Sequence, residues 1–334
     1  MRATLLLLAM LLPFHAQAQT PETEADAAPE AVEPNTRVDA PTRSALYEQA
    51  LERKLPTEEQ RQLDFHGESQ LGLFLPAARP EALGGVLLIA GPGEHADWPE
   101  LIAPVRRQLS DAGWNTLSIS LPDSSGASDS PPNPPAEDNQ ADTPDEELSE
   151  EEQGLQAADN QPDQPPTPEL KPANSDPDYA TRAMQLIQAA WQVLAAEGNE
   201  HITIIARSEA GYWALRAASP PASGQPPQAL ILFKPKDPGI EGQPNINLLL
   251  EKWDKPLLEL FNAGSPQGAI QGTEHQRIAR RTGHNLYQQW DIDYLRDSML
   301  ADDMLRKRLQ GWLERRLLNQ TTEVGASPKP AITP

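Results

Sequence analysis

Ser208 stands where the β-branched apolar run His201-Ile-Thr-Ile-Ile-Ala206 breaks at Arg207 and gives way to Ala and Leu at helical spacing as far as Ala218. The change of period from strand to helix predicts a strand, a sharp turn and a helix, with the serine at the turn. A hydroxyl in that place can attack a carbonyl carbon. Acyl transfer of this kind needs three further parts: a base to take the serine proton, an acid to orient the base, and N–H donors for the developing oxyanion. Ala206, Ala210 and Gly211 are the small residues that let a chain turn so tightly around Ser208. A serine that merely occupies a strand-to-helix turn fits the same residues, so both readings stay open at this point. Other chemistries find no support. The Gly91-Pro-Gly93 loop lacks the Gly-Lys-Ser/Thr of a phosphate loop and the acidic ribose partner of a dinucleotide fold. The six histidines are scattered without metal-ligand spacing and there is no cysteine. No cofactor or metal is expected.

The elements that must position Ser208 follow from periodicity. Ser44 to Gln62 reads as a polar helix, with Leu46, Leu51 and Leu55 as its apolar contacts. Alternating apolar positions from Leu63 to Leu75, around His66-Gly67-Glu68, predict a strand pair. Gly85 to Ala90 is a wholly apolar strand that runs into Gly91-Pro-Gly-Glu-His-Ala-Asp-Trp98, then a helix from Pro99 to Ala112 and a strand from Asn115 to Leu121. Strand, glycine loop, helix and strand make a βαβ unit of a parallel sheet. A helix from Tyr179 to Gly198 precedes the strand that leads to Ser208. Ala229–Phe233, Pro256–Phe261 and Asn285–Ile292 predict further strands, with a short apolar piece at Ile246–Leu250 and a basic helix around Gln276–Arg281. Leu305, Leu309, Trp312, Leu313 and Leu317 mark a closing amphipathic helix. Short apolar strands alternating with helices predict an α/β fold, a mostly parallel sheet with helices on both faces.

Composition divides the chain. Thirty-five prolines and a net charge of −22 are too many for one uniform globule of 334 residues. Arg2, the apolar run Leu5–Phe14 and Ala16-Gln17-Ala18 have the order of a secretory signal over residues 1–18. Residues 19–43 are expected to be a disordered acidic leader. Residues 123–178, with 16 Asp and Glu against Lys171 alone, are expected to be a disordered insertion, because such a stretch cannot bury enough apolar area to offset its ordering entropy. The globular part is then residues 44–122 and 179–318, and 319–334 a tail. The insertion holds −15 of the −22, so the fold itself is only mildly acidic. Acidity argues against nucleic acid, whose phosphates need Lys and Arg. The apolar run is too short to span a bilayer, which points to the periplasm or to release outside the cell.

Together these features resemble the α/β-hydrolase fold. More narrowly, Gly85 to Pro122 resembles an exported proteobacterial α/β-hydrolase-like family classed as a domain of unknown function. The resemblance covers residues 63–122 and 179–318. It rests chiefly on the Gly-Pro-Gly-x-His-x-x-Trp-Pro loop from Gly91 to Pro99 and the Gly-Trp-x-Thr-Leu-Ser run from Gly113 to Ser118. It implies that Ser208 sits in a nucleophile elbow, written Ala-Arg-Ser-Glu-Ala where hydrolases have Gly-x-Ser-x-Gly. It also implies where the other parts should be. The acid belongs after the strand ending at Phe261, but Asn262-Ala-Gly-Ser-Pro-Gln267 has no carboxylate, which leaves Asp237, equally readable as a turn residue in Lys-Asp-Pro-Gly. The histidine belongs after the last strand, where none occurs. His95, in the loop expected to overhang the serine, and His275 are the alternatives; His284 reads as a helix-end residue. The oxyanion donors would be the N–H groups of Glu209 and Gly93, since Pro92 has none. The expectation is a hydrolase scaffold in the cell envelope that binds a small molecule or an envelope protein without catalysis. The alternative is a serine hydrolase of a carboxylic ester or thioester acting through Ser208.

Overall fold

The computed structural model describes residues 42–123, 178–218, 226–292 and 299–318, with the backbone alone for 299–302. The expected signal, the bulk of the leader and of the acidic insertion, and the tail lie outside the described residues.

Eight strands form one sheet: β1 (Gln60–Phe65), β2 (Glu68–Leu75), β3 (Gly85–Ile89), β4 (Asn115–Ile119), β5 (Ile202–Arg207), β6 (Ala229–Phe233), β7 (Leu257–Phe261) and β8 (Tyr287–Asp291). Their order is β1-β2-β4-β3-β5-β6-β7-β8. Strand β2 is antiparallel to both of its neighbours, and β4 through β8 run parallel. The β1–β2 hairpin turns at His66 and Gly67, both at positive φ (49° and 77°), the turn whose twist suits two short-looped strands.

Helices cover both faces. They are α1 (Arg43–Lys54), α2 (Ile102–Asp111), α3 (Tyr179–Ala196), α4 (Ala210–Ala218), α5 (Ile246–Lys252), α6 (Pro266–Thr282) and α7 (Met299–Leu313). Val105 and Leu109 of α2 and Leu305, Leu309 and Trp312 of α7 share one core with Val86, Leu88, Ile205 and Leu258. Leu186 and Ile187 of α3, Trp213 of α4, Leu249 of α5 and Ile278 of α6 share the other with Leu87, Ile204 and Leu232. Successive strand residues thus serve opposite cores, as the pleat requires.

Several boundaries differ from the sequence expectation, α2 for example starting at Ile102 and not at Pro99, and three of them have a plain local reason. The first helix ends at Lys54, not Gln62, because Pro56 forces Leu55 into extended backbone (ψ 152°) and β1 starts at Gln60. It also begins one residue inside the expected leader, at Arg43, where the Thr42 hydroxyl accepts from the Ala45 N–H at 3.3 Å. Helix α6 starts ten residues before Gln276, at Pro266. Its cap, Ser265, accepts from the Gly268 N–H, and proline is well placed in a first turn.

On the inner side of α1, burial is the main cause that raises the Glu48 carboxyl from the usual 4.5 to about 7, with Glu52 and Asp123 adding to it. The folded protein therefore holds this proton over a range in which the unfolded chain has lost it. Stability present below about pH 4.5 should fall as pH rises through about 7. In thermal melts between pH 5 and pH 8, Glu48→Gln should show a smaller drop in Tm than the native protein. An equal drop would remove Glu48 as a source.

Candidate active site

The strand order reverses direction between β3 and β5: β3 connects onward to β4 on one side, and β5 to β6 on the other. In open α/β sheets the crevice outside the carboxyl ends of the strands at such a point is where ligands sit. Two segments meet there, the glycine loop after β3 and the turn after β5.

Ser208 has φ 56°. A non-glycine residue at positive φ stores roughly 1–3 kcal/mol and persists only when its surroundings fix it. Here the Ser208 N–H donates to the Phe233 carbonyl at 2.9 Å, and the Ser208 carbonyl accepts from Gly211 at 3.0 Å and from Lys236 at 3.1 Å. Ala206 and Ala210 are fully buried on either side, so a methyl is tolerated where hydrolases carry glycine. Gly211 admits no side chain freely, since a Cβ would lie 3.2 Å from Pro235. The half-buried Ser208 hydroxyl makes no hydrogen bond to any described residue and caps nothing. Replacing Ser208 with glycine should therefore leave stability unchanged or raise it by up to about 1 kcal/mol in chemical denaturation; a clear loss would mean that the strained turn is not what holds this residue.

Arg207 fastens the glycine loop to the turn. Its guanidinium pairs with Glu94 at 3.1 Å and Glu100 at 2.6 Å, and Glu94 also accepts from the Gly91 N–H at 2.8 Å. Burial raises the Glu94 carboxyl, opposed by Arg207. The N–H groups of both expected oxyanion donors, Glu209 and Gly93, have no acceptor among the described residues. Gly93 is at φ 76° with its Cα side packed against the Arg43 guanidinium. Burial also raises the Glu209 carboxyl, against the lowering effect of Lys236.

His95 lies in the loop as expected, between Tyr47 and Trp98, with ring centroids 5.0 and 5.3 Å away in edge contacts. Its Nδ1 accepts from the Asp97 N–H at 3.1 Å. A nitrogen that accepts is unprotonated, so the neutral ring carries its proton on Nε2. Triad chemistry needs the reverse, a free Nε2 lone pair and an Nδ1–H held by an acid. Burial lowers the His95 pKa, and Asp97 opposes this.

Asp237 has both carboxylate oxygens engaged by backbone. Oδ1 accepts from Gly239 at 2.8 Å and Oδ2 from Ile246 at 2.6 Å, which fixes the entry to α5. The structure thus brings Ser208, Glu209 and the Gly91–Trp98 loop to the same strand ends, but joins neither His95 nor Asp237 to Ser208 by a hydrogen bond.

A second arrangement was missed by sequence reasoning. His275, on α6, directs Nδ1 at both oxygens of Glu259 on β7 (2.9 and 3.0 Å), and both residues are 1% exposed. The Tyr287 hydroxyl donates to the same carboxylate, and its pKa is raised by burial first and by Glu259 second. The available signal was Glu259 itself, a lone charge in Leu-Leu-Glu-Leu-Phe. A charge in a buried strand requires partners.

Comparison with known proteins agrees with this architecture. A family model described as "Protein of unknown function (DUF3530)" matches residues 2–315. The chain belongs to this family. Among solved structures, this DUF3530 protein is similar to a putative dienelactone hydrolase from Klebsiella pneumoniae, at 12% identity and TM-score 0.51, over 77% of this chain and 97% of that one. An esterase from Pyrococcus furiosus matches at 12% identity and TM-score 0.50, over 77% and 90%. An acylaminoacyl peptidase from Pyrococcus horikoshii matches at 11% and 0.50, over 81% of this chain and 44% of that one. At these identities the likeness establishes the α/β-hydrolase fold. No curated protein matches. No described helix is long and apolar enough to cross a membrane, and no group of three His, Asp or Glu side chains among the described residues could hold a metal ion.

Proposed function

We propose that this DUF3530 protein is exported to the cell envelope and uses the hydrolase scaffold to bind a small molecule or an envelope protein, without acyl transfer. The observation that carries the reading is the isolation of the Ser208 hydroxyl from every described imidazole. No histidine follows His284 in the sequence, so the loop after β8 has none to offer. His95 has its Nδ1 committed to a backbone N–H, and His275, although its Nδ1 is held by an acid as a base requires, faces a cleft that Ser208 does not line. Without a base, a serine hydroxyl at neutral pH is a weak nucleophile.

The alternative, a hydrolase of a carboxylic ester or thioester through Ser208, is favoured by the strained turn and by the free N–H of Glu209. A fluorophosphonate probe separates the two. The binding reading expects no labelling of the purified protein. Stoichiometric labelling that disappears in Ser208→Ala would overturn it. Export expects a mature form starting at Gln19 in a periplasmic or extracellular fraction, read by intact mass.

A further inference from the structure

A cleft of about 750 Å³ opens between α5, α6 and the loop after β6, over the end of β7, and Ser208 does not line it. That volume falls within the usual range for small-molecule sites. His275 and Glu259 form part of its wall. We propose that this cleft is a binding site for a neutral saccharide, with His275 as the buried hydrogen-bonding group that receives a sugar hydroxyl.

Three observations lead there. The first is His275. A carboxylate only accepts, so Nδ1 carries a proton toward Glu259, and the Tyr287 hydroxyl donates to the same group. The ring is thereby fixed and Nε2 is left. It has no partner among the described residues and is not among the enclosed polar atoms that lack one, so what little of His275 is exposed lies toward the cleft. A hydroxyl is the ligand group that fits Nε2 in either protonation state, since it donates to the neutral ring and accepts from the charged one. A carboxylate would fit only the charged ring.

The second is the charge around the cleft. Two lysines and two partly exposed carboxylates line it, and each has a partner. Lys234 lies over the Phe233 ring at 5.8 Å, Lys236 faces Glu209, Asp237 holds two backbone N–H groups, and Glu274 pairs with Arg277. An ionic ligand would therefore have to compete with a contact that each of these four groups already makes. The third is the remaining lining. The amides of Asn247 and Gln267 have no partner among the described residues, and Ile270 is 72% exposed at the edge. Amide groups for hydroxyls and an apolar surface for the carbon-bound face of a sugar ring are complementary to a saccharide.

The proposal rests on the binding reading of the scaffold, but its test does not involve Ser208, so a reactive serine would overturn that reading and leave this site standing. The test is an array of neutral mono-, di- and trisaccharides, printed beside sialylated and sulfated ones and probed with the purified protein. Binding to at least one neutral saccharide is expected. For the strongest of these, calorimetry should show affinity at least tenfold lower in His275→Gln. Asn247→Ala, at a half-buried position, and Ile270→Ser, at an exposed one, should each lower it at least threefold with an unchanged Tm. No binding to the array, binding confined to the anionic saccharides, or neutral binding that survives in all three variants would overturn the proposal.

Discussion

Glu259→Ala should lower the unfolding free energy by about 3–5 kcal/mol, the range for breaking a buried pair by removing one partner. Alanine leaves the His275 Nδ1–H and the largely buried Tyr287 hydroxyl as donors without their acceptor, at a place where Glu259 and His275 are each only 1% exposed. Gln289, whose Nε2 reaches the carboxylate at 3.4 Å, is less affected because it also donates to the Gly272 carbonyl at 2.7 Å. Glu259→Gln keeps an acceptor oxygen and should cost roughly half as much or less. The double change Glu259→Ala with Tyr287→Phe should cost less than the sum of the two single changes, since the phenol is no longer stranded once its hydroxyl is gone. Urea unfolding of the four variants measures this. A loss below about 1 kcal/mol in Glu259→Ala would mean that the three side chains do not form one hydrogen-bonded unit.

Trp213→Ala should be comparably severe, again about 3–5 kcal/mol, through the cavity it leaves. The indole is fully buried in α4, in edge contact with Tyr179 at 5.5 Å and Tyr212 at 5.0 Å between ring centroids. Its Nε1 has no hydrogen-bond partner among the described residues, so the loss is chiefly one of packing, with the Arg216 guanidinium 5.7 Å from the ring centroid adding a cation–π contact, and Trp213→Phe should recover more than half of it. Helix α4 starts two residues after Ser208. Loosening its packing should also relax the strained turn, and in the alanine variant Ser208→Gly should stabilise less than it does in the native chain. Denaturation of the four combinations reads this directly. Simple additivity would show that the turn is held by its own hydrogen bonds to Phe233 and Lys236 and not by the helix behind it.

The α/β architecture was legible because burial on both faces leaves a local trace. The runs Val86–Ile89, Ile202–Ala206 and Ala229–Leu232 are apolar at every position but Thr203, which is what a central parallel strand needs, and all are buried in the sheet. The turn at Ser208 was legible for the same reason, since period and residue size change there. Helix ends were less so. The Ser265-Pro266 start of α6 and the Pro56 break after α1 are short signals that a reading of apolar spacing passes over.

Residue types and their order suffice for the fold class, for the place of Ser208 at a strand-to-helix turn and for the lack of any histidine in the loop after the last strand. The roles of the remaining titratable groups come from contacts made in the folded chain. The Nδ1 of His95 is occupied by a backbone N–H two residues away, and Asp237 by one N–H nearby and another at the head of α5. Glu259, His275 and Tyr287 lie on three different elements. They meet because the β7–β8 register sets Glu259 opposite Gln289, which puts Tyr287 two residues along the same face, and because α6 packs His275 onto that face. A hydrogen bond is made within about 3 Å, and chain order does not fix distances on that scale between elements far apart in sequence.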